Sequence, residues 1–295
     1  MAQIRELKKR MIAVRTIQRI TKTMQMIATA KFNAALQRAR ASRPYTDTIR
    51  KLVEEVSAAA GDVSHPLLER PAKPTGVETV LVITSDRGLA GSFNGQVLRK
   101  AERLIKDLQK SGKKVNLLVA GKKGVAFFRF AKLPIARAFS FGDKPKFEDV
   151  RVLADEFMSD YAAGKVDAIH IVSMRFVSAA KQTPEHVQAL PLSAAAVAAA
   201  PASAGGPARV STLEFSPSAA QILADLLPRT VRIQVFQCFL DAVVSEQAMR
   251  RVAMKAATDN ASGLGRVLKR NFNRARQAKI TTELTEIVSG AAALT

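Results

Sequence analysis

The sequence predicts an α/β protein: a long antiparallel coiled coil of the N- and C-terminal helices, with an inserted α/β domain. Three observations predict this class. Residues 1–57 and residues 212–295 each place apolar side chains at helical spacing over many turns. Residues 76–190 instead alternate short β-branched runs with amphipathic segments. Neither long helix would be stable alone with its apolar stripe in water, so each is the other's simplest partner.

The N-terminal helix, residues 1–57, is predicted from two successive runs of apolar residues spaced three or four apart. The runs are Ile4, Leu7, Met11 and Val14, followed by Ile17, Ile20, Met24 and Ile27. The step from Val14 to Ile17 is three residues where a strict heptad needs four, which predicts local overwinding of a left-handed coil. Pro44 predicts a kink or a short break, after which the helical spacing resumes.

The middle of the chain, residues 76–190, predicts a Rossmann-like layer with a parallel or mixed sheet. The β-branched run VETVLVIT at 77–84 indicates a buried strand, and further strands are expected at 115–120 and 168–177. Helices are expected at 94–110 and 147–163, with a short element near 125–130 and a possible strand near 135–141.

The segment 191–211 is rich in Ala, Pro and Gly and predicts a flexible tether or surface loop. The C-terminal region, residues 212–295, then begins with a short helix at 218–227. That helix is expected to end at Pro228, which can serve as an early position of the next one. The long C-terminal helix is expected to pair with residues 1–57.

Within the C-terminal helix one apolar face is predicted from Leu264, Leu268, Phe272 and Ala275. Two glycines, Gly263 and Gly265, interrupt this stretch. Each costs about 1 kcal/mol relative to alanine in a helix. We therefore expect another backbone or loop to approach the helix closely at these positions.

The composition indicates an acidic partner, because the chain carries a net charge of +21 and has a pI of about 10.6. The C-terminal helix and residues 1–46 both carry dense Lys and Arg with few acids. Such a band can bind nucleic acid, or it can lie inside an acidic protein sleeve. No stacking aromatics or recognised nucleic-acid motif accompany the charge, so both partners stay open at this point.

The single cysteine, Cys238, lies between apolar residues and is expected to be a buried small side chain. One cysteine excludes a disulfide within the chain and fits a reducing compartment. The sequence contains no apolar run long enough to span a bilayer. We therefore expect a protein that does not insert into a membrane.

Motifs for catalysis, cofactors and metals are weak, and we expect no catalytic residue, cofactor or metal. The loop 85–95 follows a strand, where phosphates are often bound, but its glycines do not follow the dinucleotide pattern and no P-loop is present. Its simpler interpretation is a tight turn with a helix cap. His65, His170 and His186 are scattered without metal-ligand spacing. A Rossmann-type enzyme built on residues 76–190 remains a further hypothesis, which requires a bound cofactor.

Three stretches of the chain carry a family resemblance. They are ITKTMQMIATAKF at 20–32, SDRGLAGSFNG at 85–95, and the C-terminal pair VAMKAATDNASG at 252–263 and NRARQAKITTELTEIVSGAAAL at 273–294. Together, in this order, they resemble the γ subunit of F-type ATP synthases of bacterial type. The loop departs from the family pattern, because it has Leu-Ala-Gly-Ser at 89–92 where Leu-Cys-Gly-Gly is common.

The resemblance implies a central-stalk rotor that couples proton flow through the membrane sector to ATP synthesis on the β subunits of the catalytic hexamer. The implied partners are the α and β subunits, the ε subunit and the membrane c-ring. The rotor itself would not be catalytic. It would be peripheral, at the cytoplasmic face of the bacterial inner membrane. The remaining alternative from the residues is a basic coiled-coil protein that binds nucleic acid.

The resemblance also implies the residues that meet these partners. Met24 and Arg250 would face the acidic lever loops of the β subunits, and the catch loop of β would be met by Arg276, Gln277, Thr281 and Glu283. The apolar C-terminal end would turn in a bearing formed by the α and β collar, through residues that include Ile287, Val288 and Leu294.

Overall fold

The computed structural model describes residues 2–60, 65–69, 71, 74–192 and 218–292. The predicted flexible segment 191–211 lies outside these residues from position 193 onward, and so does Leu294. The chain divides into two compact units. One is the helix-pair unit, Met1–Ala30 with Arg250–Thr295, and the other is the α/β unit, Lys31–Met249.

Two long helices contribute to both units: α1, Ala2–Ala60, and a C-terminal helix, Ala219–Ala292. The predicted break at Pro44 is wrong, because α1 continues through this residue. The short helix expected to end at Pro228 is wrong for the same reason, since the C-terminal helix runs through that proline. Buried residues lie on both sides of each proline, for example Leu227 and Val231. Their tertiary packing outweighs the loss of one backbone hydrogen bond.

The α/β unit contains a sheet of five strands in the order β3-β2-β1-β4-β5. The strands are β1 Val77–Ile83, β2 Lys114–Ala120, β3 Arg137–Phe139, β4 Ala168–Phe176 and β5 Gln182–Leu190. Strands β1 to β4 pair in parallel, and β5 pairs antiparallel with β4. The helices between them are α2 Phe93–Lys110, α3 Lys122–Phe130 and α4 Phe147–Ala162. The C-terminal helix is α5.

The strands and helices predicted for this region are confirmed, with β3 shorter than expected. Strand β5 is absent from the sequence prediction. Its residues are polar and include Pro184, and seven of its nine positions are only half buried. An edge strand tolerates proline and polar side chains, because one of its edges needs no ladder hydrogen bonds.

The core of the α/β unit contains residues from the sheet, from its helices and from both long helices. From α1 it takes Ile49, Val53 and Val56, and from α5 it takes side chains between Leu223 and Ala242. Burying one such aliphatic side chain contributes about 1.5–3 kcal/mol. These parts of α1 and α5 therefore pack as core helices of the α/β unit. A smaller cluster pairs Phe32, Ala35 and Ala39 of α1 with α5 side chains from Leu240 to Ala248.

A chain of titratable side chains links three strands of the sheet. Glu78 Oε2 lies 2.9 Å from His170 Nε2, and His170 Nδ1 lies 2.9 Å from His186 Nε2. Burial, with help from the neighbouring charges of His170 and Lys100, lowers the pKa of His186 to about 4. These contacts join β1, β4 and β5 within the sheet.

Asp167 joins the N-terminal ends of β1 and β4. Burial opposes its ionisation, but N–H groups of Thr75 and Gly76 and the ammonium of Lys113 donate to its carboxylate. These bonds lower the pKa of Asp167 to about 2.

Among the residues that the structure describes, no helix is both long and apolar enough to cross a membrane.

Candidate partner-binding surface of the helix pair

The helix-pair unit has an antiparallel register that two contacts define. Thr258 Oγ1 donates to Thr21 Oγ1 at 2.8 Å, and Val14 Cγ1 lies 3.9 Å from where a Cβ on Gly265 would be. From Val14 to Thr21 the chain of α1 advances by seven residues, and the partner positions on α5 go back by seven, from Gly265 to Thr258. The two helices are therefore antiparallel. The same register places Ala2 opposite Gln277, so α5 continues beyond the N-terminal end of α1.

The seam of α1 is an unbroken heptad. Its half-buried or buried positions are Ile4, Leu7, Met11, Val14, Gln18, Thr21, Gln25 and Ala28. The predicted step of three after Val14 is therefore wrong. A continuous heptad keeps each seam residue facing the partner helix, even where the residue is polar. Thr21 is accommodated there by its hydrogen bond to Thr258.

The second predicted apolar run of α1 lies outside this seam. Ile17, Ile20 and Ile27 are 52%, 51% and 52% exposed, and Met24 is half buried beside them. Their common spacing of three and four residues puts them on one face of the helix. A contiguous exposed apolar face of this kind marks a surface that another molecule covers. Extending the heptad strictly from Ile4 would have revealed this surface in the sequence, because it leads to Gln18 and Thr21.

The seam of α5 is formed by small and apolar residues that include Met254, Ala261, Gly265 and Leu268. Leu264, predicted to share the face of Leu268, is instead half exposed. The expected close approach at the two glycines is also wrong within the described residues. A Cβ on Gly263 would meet nothing within 4 Å, and one on Gly265 would meet only Val14 at an ordinary contact distance.

The end of α5 is a single helix without a paired segment of α1 among the described residues. Every side chain from Ile280 to Ser289 is exposed. Ile287 and Val288 are 71% and 61% exposed. A helical segment of this length with no tertiary packing is marginal in water. Its apolar side chains indicate that a partner completes its packing.

The residues predicted to bind partners fall into two groups. Arg276, Gln277, Thr281, Glu283, Ile287 and Val288 are all exposed and lie on the last five turns of α5. Glu283 Oε1 also pairs with Lys279 Nζ at 3.0 Å. Leu294 lies outside the described residues.

Met24 and Arg250 form the second group, and they are less accessible. Met24 is half buried, and Arg250 is only 8% exposed. The register puts Met24 opposite Lys255, so Met24 and Arg250 lie about 7 Å apart along the helix axis. A partner would contact the exposed atoms of these two side chains more easily than their buried atoms.

Positive charge covers the outside of the helix pair. The exposed cations include Lys8, Lys9, Arg10, Arg15, Arg19 and Lys22 of α1 and Lys255, Arg266, Lys269, Arg270, Arg274 and Arg276 of α5. Arg10 pairs with Glu6 on its own helix, with both side chains mostly exposed. Like charges at this density repel one another, and an acidic partner would relieve that repulsion.

The loop 85–95 forms a tight turn. The polar groups that could otherwise bind a phosphate are used in hydrogen bonds that stabilise this turn. Asp86 Oδ1 accepts the N–H of Lys122 at the start of α3, and Asn94 Oδ1 accepts the N–H of Ser85. Thr84 Oγ1 accepts the N–H of Gly124. The adjoining cavity is only about 30 Å³, far below the roughly 300–1,000 Å³ of small-molecule sites.

A metal site is not supported by the side chains either. Nowhere in the described ranges do three His, Cys, Asp or Glu side chains converge as a metal ion requires. The surface with the clearest chemical character is therefore the outside of the helix pair, which combines an apolar face on α1, a cationic surface and the exposed apolar side chains of the segment 280–289.

These features define a stalk-type protein, in which a two-helix coiled coil presents its surface to partners and the same helices also enter an α/β core. The family model described as ATP synthase matches residues 3–294. The ATP synthase gamma chain of Rhodopirellula baltica is 40% identical over 295 residues, covering 100% of this chain and 99% of the relative. That of Leptospira biflexa is 39% identical, with 100% of both chains covered. The chain therefore belongs to the ATP synthase gamma-chain family.

Solved structures share the fold. The rotor of the Euglena gracilis mitochondrial ATP synthase superimposes with a TM-score of 0.62 at 18% identity, covering 95% of this chain and 99% of that chain. The central stalk and c-ring structure of the Tetrahymena thermophila mitochondrial enzyme gives a TM-score of 0.59 at 23% identity, covering 81% of this chain and 99% of that chain. The fold class predicted from the sequence is confirmed.

Proposed function

We propose that this chain is the central rotor of an ATP synthase and that it couples proton flow through the membrane sector to ATP synthesis in the catalytic hexamer. Membership in the gamma-chain family supports the role, and the fold of the rotor structures agrees with it. The observation that carries the proposal is the exposed segment 280–289 of α5, which includes Ile287 and Val288. A helix with this end needs a surrounding sleeve to complete its packing.

The proposed partners are those that the family resemblance implies. The α and β subunits form the sleeve, and the ε subunit and the c-ring bind elsewhere on the rotor. Catalysis takes place on the β subunits, and the complex lies at the cytoplasmic face of a bacterial inner membrane. The comparisons give no support to the alternative of a nucleic-acid-binding coiled coil.

The mechanism is a difference in contact energy. A two-helix shaft has a cationic, irregular outline, so it contacts each of three β subunits differently. When the shaft turns, the β conformation that each contact favours changes, and binding and rotation become coupled. Exposed charges suit such a sliding contact, because each surface ion pair contributes only about 0–1 kcal/mol and is screened by salt.

We propose the following contacts. Arg276, Gln277, Thr281 and Glu283 lie against the catch loop of β, and their common exposure on successive turns of α5 supports this. Met24 and Arg250 lie near the lever loops, through the parts of their side chains that remain accessible. Ile287, Val288 and Leu294 turn in the apolar collar.

The test introduces charged side chains at the apolar end of α5 in the assembled enzyme. Complexes that carry both Ile287→Asp and Val288→Asp should retain less rotor in the hexamer and pump fewer protons per ATP hydrolysed, because two charges would enter an apolar collar. Thr282→Asp is the control, since Thr282 is exposed about one and a half turns earlier on α5. Wild-type assembly and coupling in the double variant would contradict the bearing, and ATPase activity of the isolated chain would contradict the assignment of catalysis to the partners.

A further inference from the structure

The loop between β3 and α4, residues 140–146, is attached to several parts of the α/β unit. Gly142 has a φ of +64°, in the left-handed region where glycine is favoured, and turns the chain sharply. Before this turn, Ser140 Oγ donates to Asp86 Oδ2 at 2.9 Å. The loop is therefore fixed at its start to the turn that follows β1.

The loop also reaches α1 through an ion pair. Asp143 Oδ2 lies 2.5 Å from Lys31 Nζ, with side-chain exposures of 29% and 39%. The pair is partly shielded from water, so its geometry is better defined than that of a freely exposed pair. It connects residues that are far apart in the sequence.

The loop and the start of α4 reach α5 through aromatic pairs. The ring of Phe141 packs edge-on against Phe239, with 4.8 Å between centroids. Phe147 packs edge-on against Phe236 at 5.4 Å. One turn of α5 therefore meets the loop at Phe239 and the first residue of α4 at Phe236. Such edge-to-face contacts have a preferred orientation, unlike general aliphatic packing.

The remaining space between the loop and the helices is open. A groove of about 430 Å³ is lined by Lys31 and Arg38 of α1, Phe141 and Lys144 of the loop, and Val243 of α5, among others. The loop is not packed continuously against either helix. The hold of the loop on the helices therefore combines the directional contacts described above with apolar packing, because Pro145 is buried and Phe141 packs against the core.

We propose that residues 140–146 form a brace that makes the α/β unit turn together with α1 and α5, with Asp143 and Phe141 as positioning residues. The inference rests on the proposed rotor function. Torque must pass between the sheet and both long helices, and this short loop contacts both of them. Directional contacts to two helices resist relative rotation about either one, whereas an apolar interface alone permits small sliding.

The test measures the torsional stiffness of assembled rotors. Hexamer complexes are immobilised, and a probe is attached through Lys110→Cys at the exposed end of α2. Burial raises the pKa of the Cys238 thiol to about 12, so the natural cysteine does not compete for the label. In complexes stalled without ATP, Asp143→Lys should increase the angular variance of the probe about twofold, because directional contacts are lost.

The charge-reversed pair, Asp143→Lys with Lys31→Glu, should return the variance to that of the wild type. Glu156→Lys is the control. It breaks the pair of Glu156 with Arg137, 2.7 Å long, between α4 and β3 without touching a long helix, and should leave the variance unchanged. If Asp143→Lys fails to assemble, Asp143→Asn gives a smaller rise in the same assay.

The brace is overturned if Asp143→Lys and Asp143→Asn leave the variance unchanged, if the reversed pair does not restore it, or if Glu156→Lys raises it equally. These outcomes differ from failure of the rotor function. Absence of ATP-driven rotation of the wild-type probe overturns the rotor and the brace together, whereas rotation with unchanged variance overturns the brace alone.

Discussion

The α/β unit and the helix-pair unit differ in how far they bury their large apolar side chains. In the α/β unit, large side chains such as Phe93 and Phe128 are completely buried by the chain itself. In the helix-pair unit, Ile17, Ile20, Ile27, Ile287 and Val288 stay exposed although they have the same hydrophobic character. The α/β unit buries a large core, although it also leaves Phe130 88% exposed, whereas the helix-pair unit leaves an apolar face of α1 and the segment 280–289 of α5 exposed. We propose that partner subunits cover this second surface. Stability and assembly should therefore respond to mutations in different units.

The largest effect is expected in the α/β core. Phe93 is 1% exposed, so Phe93→Ala should lower the free energy of unfolding of the isolated chain by about 3–5 kcal/mol. Denaturant titration followed by circular dichroism measures the loss. Ile17→Ala is the comparison, and it should change the same quantity by less than about 0.5 kcal/mol. Equal losses in the two variants would remove the distinction between the units.

A large effect on assembly is expected from the exposed face of α1. Ile17→Ser combined with Ile20→Ser should weaken binding to the hexamer by at least about tenfold, because each side chain buries apolar area in the complex. The isolated chain should unfold at nearly the same denaturant concentration as the wild type. Thr23→Ser, also exposed on α1, serves as control in the same titration. Unchanged affinity in the double variant would show that this face meets no partner.

A pH effect is expected in the α/β unit. The folded-state pKa of His186, about 4, lies below its ordinary value of 6.5. The folded protein therefore binds fewer protons, and this stabilising contribution is complete above pH 6.5 and is lost as the pH falls towards 4. His186→Gln should flatten the dependence of unfolding free energy on pH across that window. Asp167 acts only at lower pH, with its pKa of about 2. An unchanged slope in the variant would assign the pH dependence to other groups.

The smallest effect concerns Gly263, which has open space around it in the isolated chain. Gly263→Ala should raise the stability of α5 by about 0.5–1 kcal/mol through its helix propensity. Thermal unfolding of the helix pair measures this gain. Gly121→Ala is the opposite case, because Gly121 has a φ of +99° and lies against Thr84. A loss of stability on Gly263→Ala would instead support the hypothesis that another backbone or loop approaches α5 closely at this glycine.

Much of the fold could be predicted from the sequence, because β-branched runs and long amphipathic periods specify most of its elements. The exact seam is harder to predict. Ile17 and Ile20 have the spacing of a core face, and only a heptad extended strictly from Ile4 leads to Gln18 and Thr21 instead. Strand β5 was missed because its polar residues are stabilised by position at the sheet edge. Pro44 and Pro228 fail to break helices because buried neighbours hold them in place.

The exposure of the proposed partner-binding residues can be predicted for some of them and not for others. The exposure of Thr281 and Ile287 follows from their position beyond the end of α1, which depends on the register of the pair, whereas the same register places Arg276 opposite residue 3. Arg250 is mostly buried, and no local pattern distinguishes it from its exposed neighbour Lys255. Residues predicted through family resemblance alone therefore still need a measurement in the complex.

The most direct test of the account is amide hydrogen exchange of residues 280–292, compared between the isolated chain and the assembled enzyme. The account predicts fast exchange in the isolated chain and strong protection in the complex, with strand β1 equally protected in both. Strong protection of 280–292 in the isolated chain, or continued fast exchange in the complex, would contradict the claim that partner subunits complete the packing of this helix.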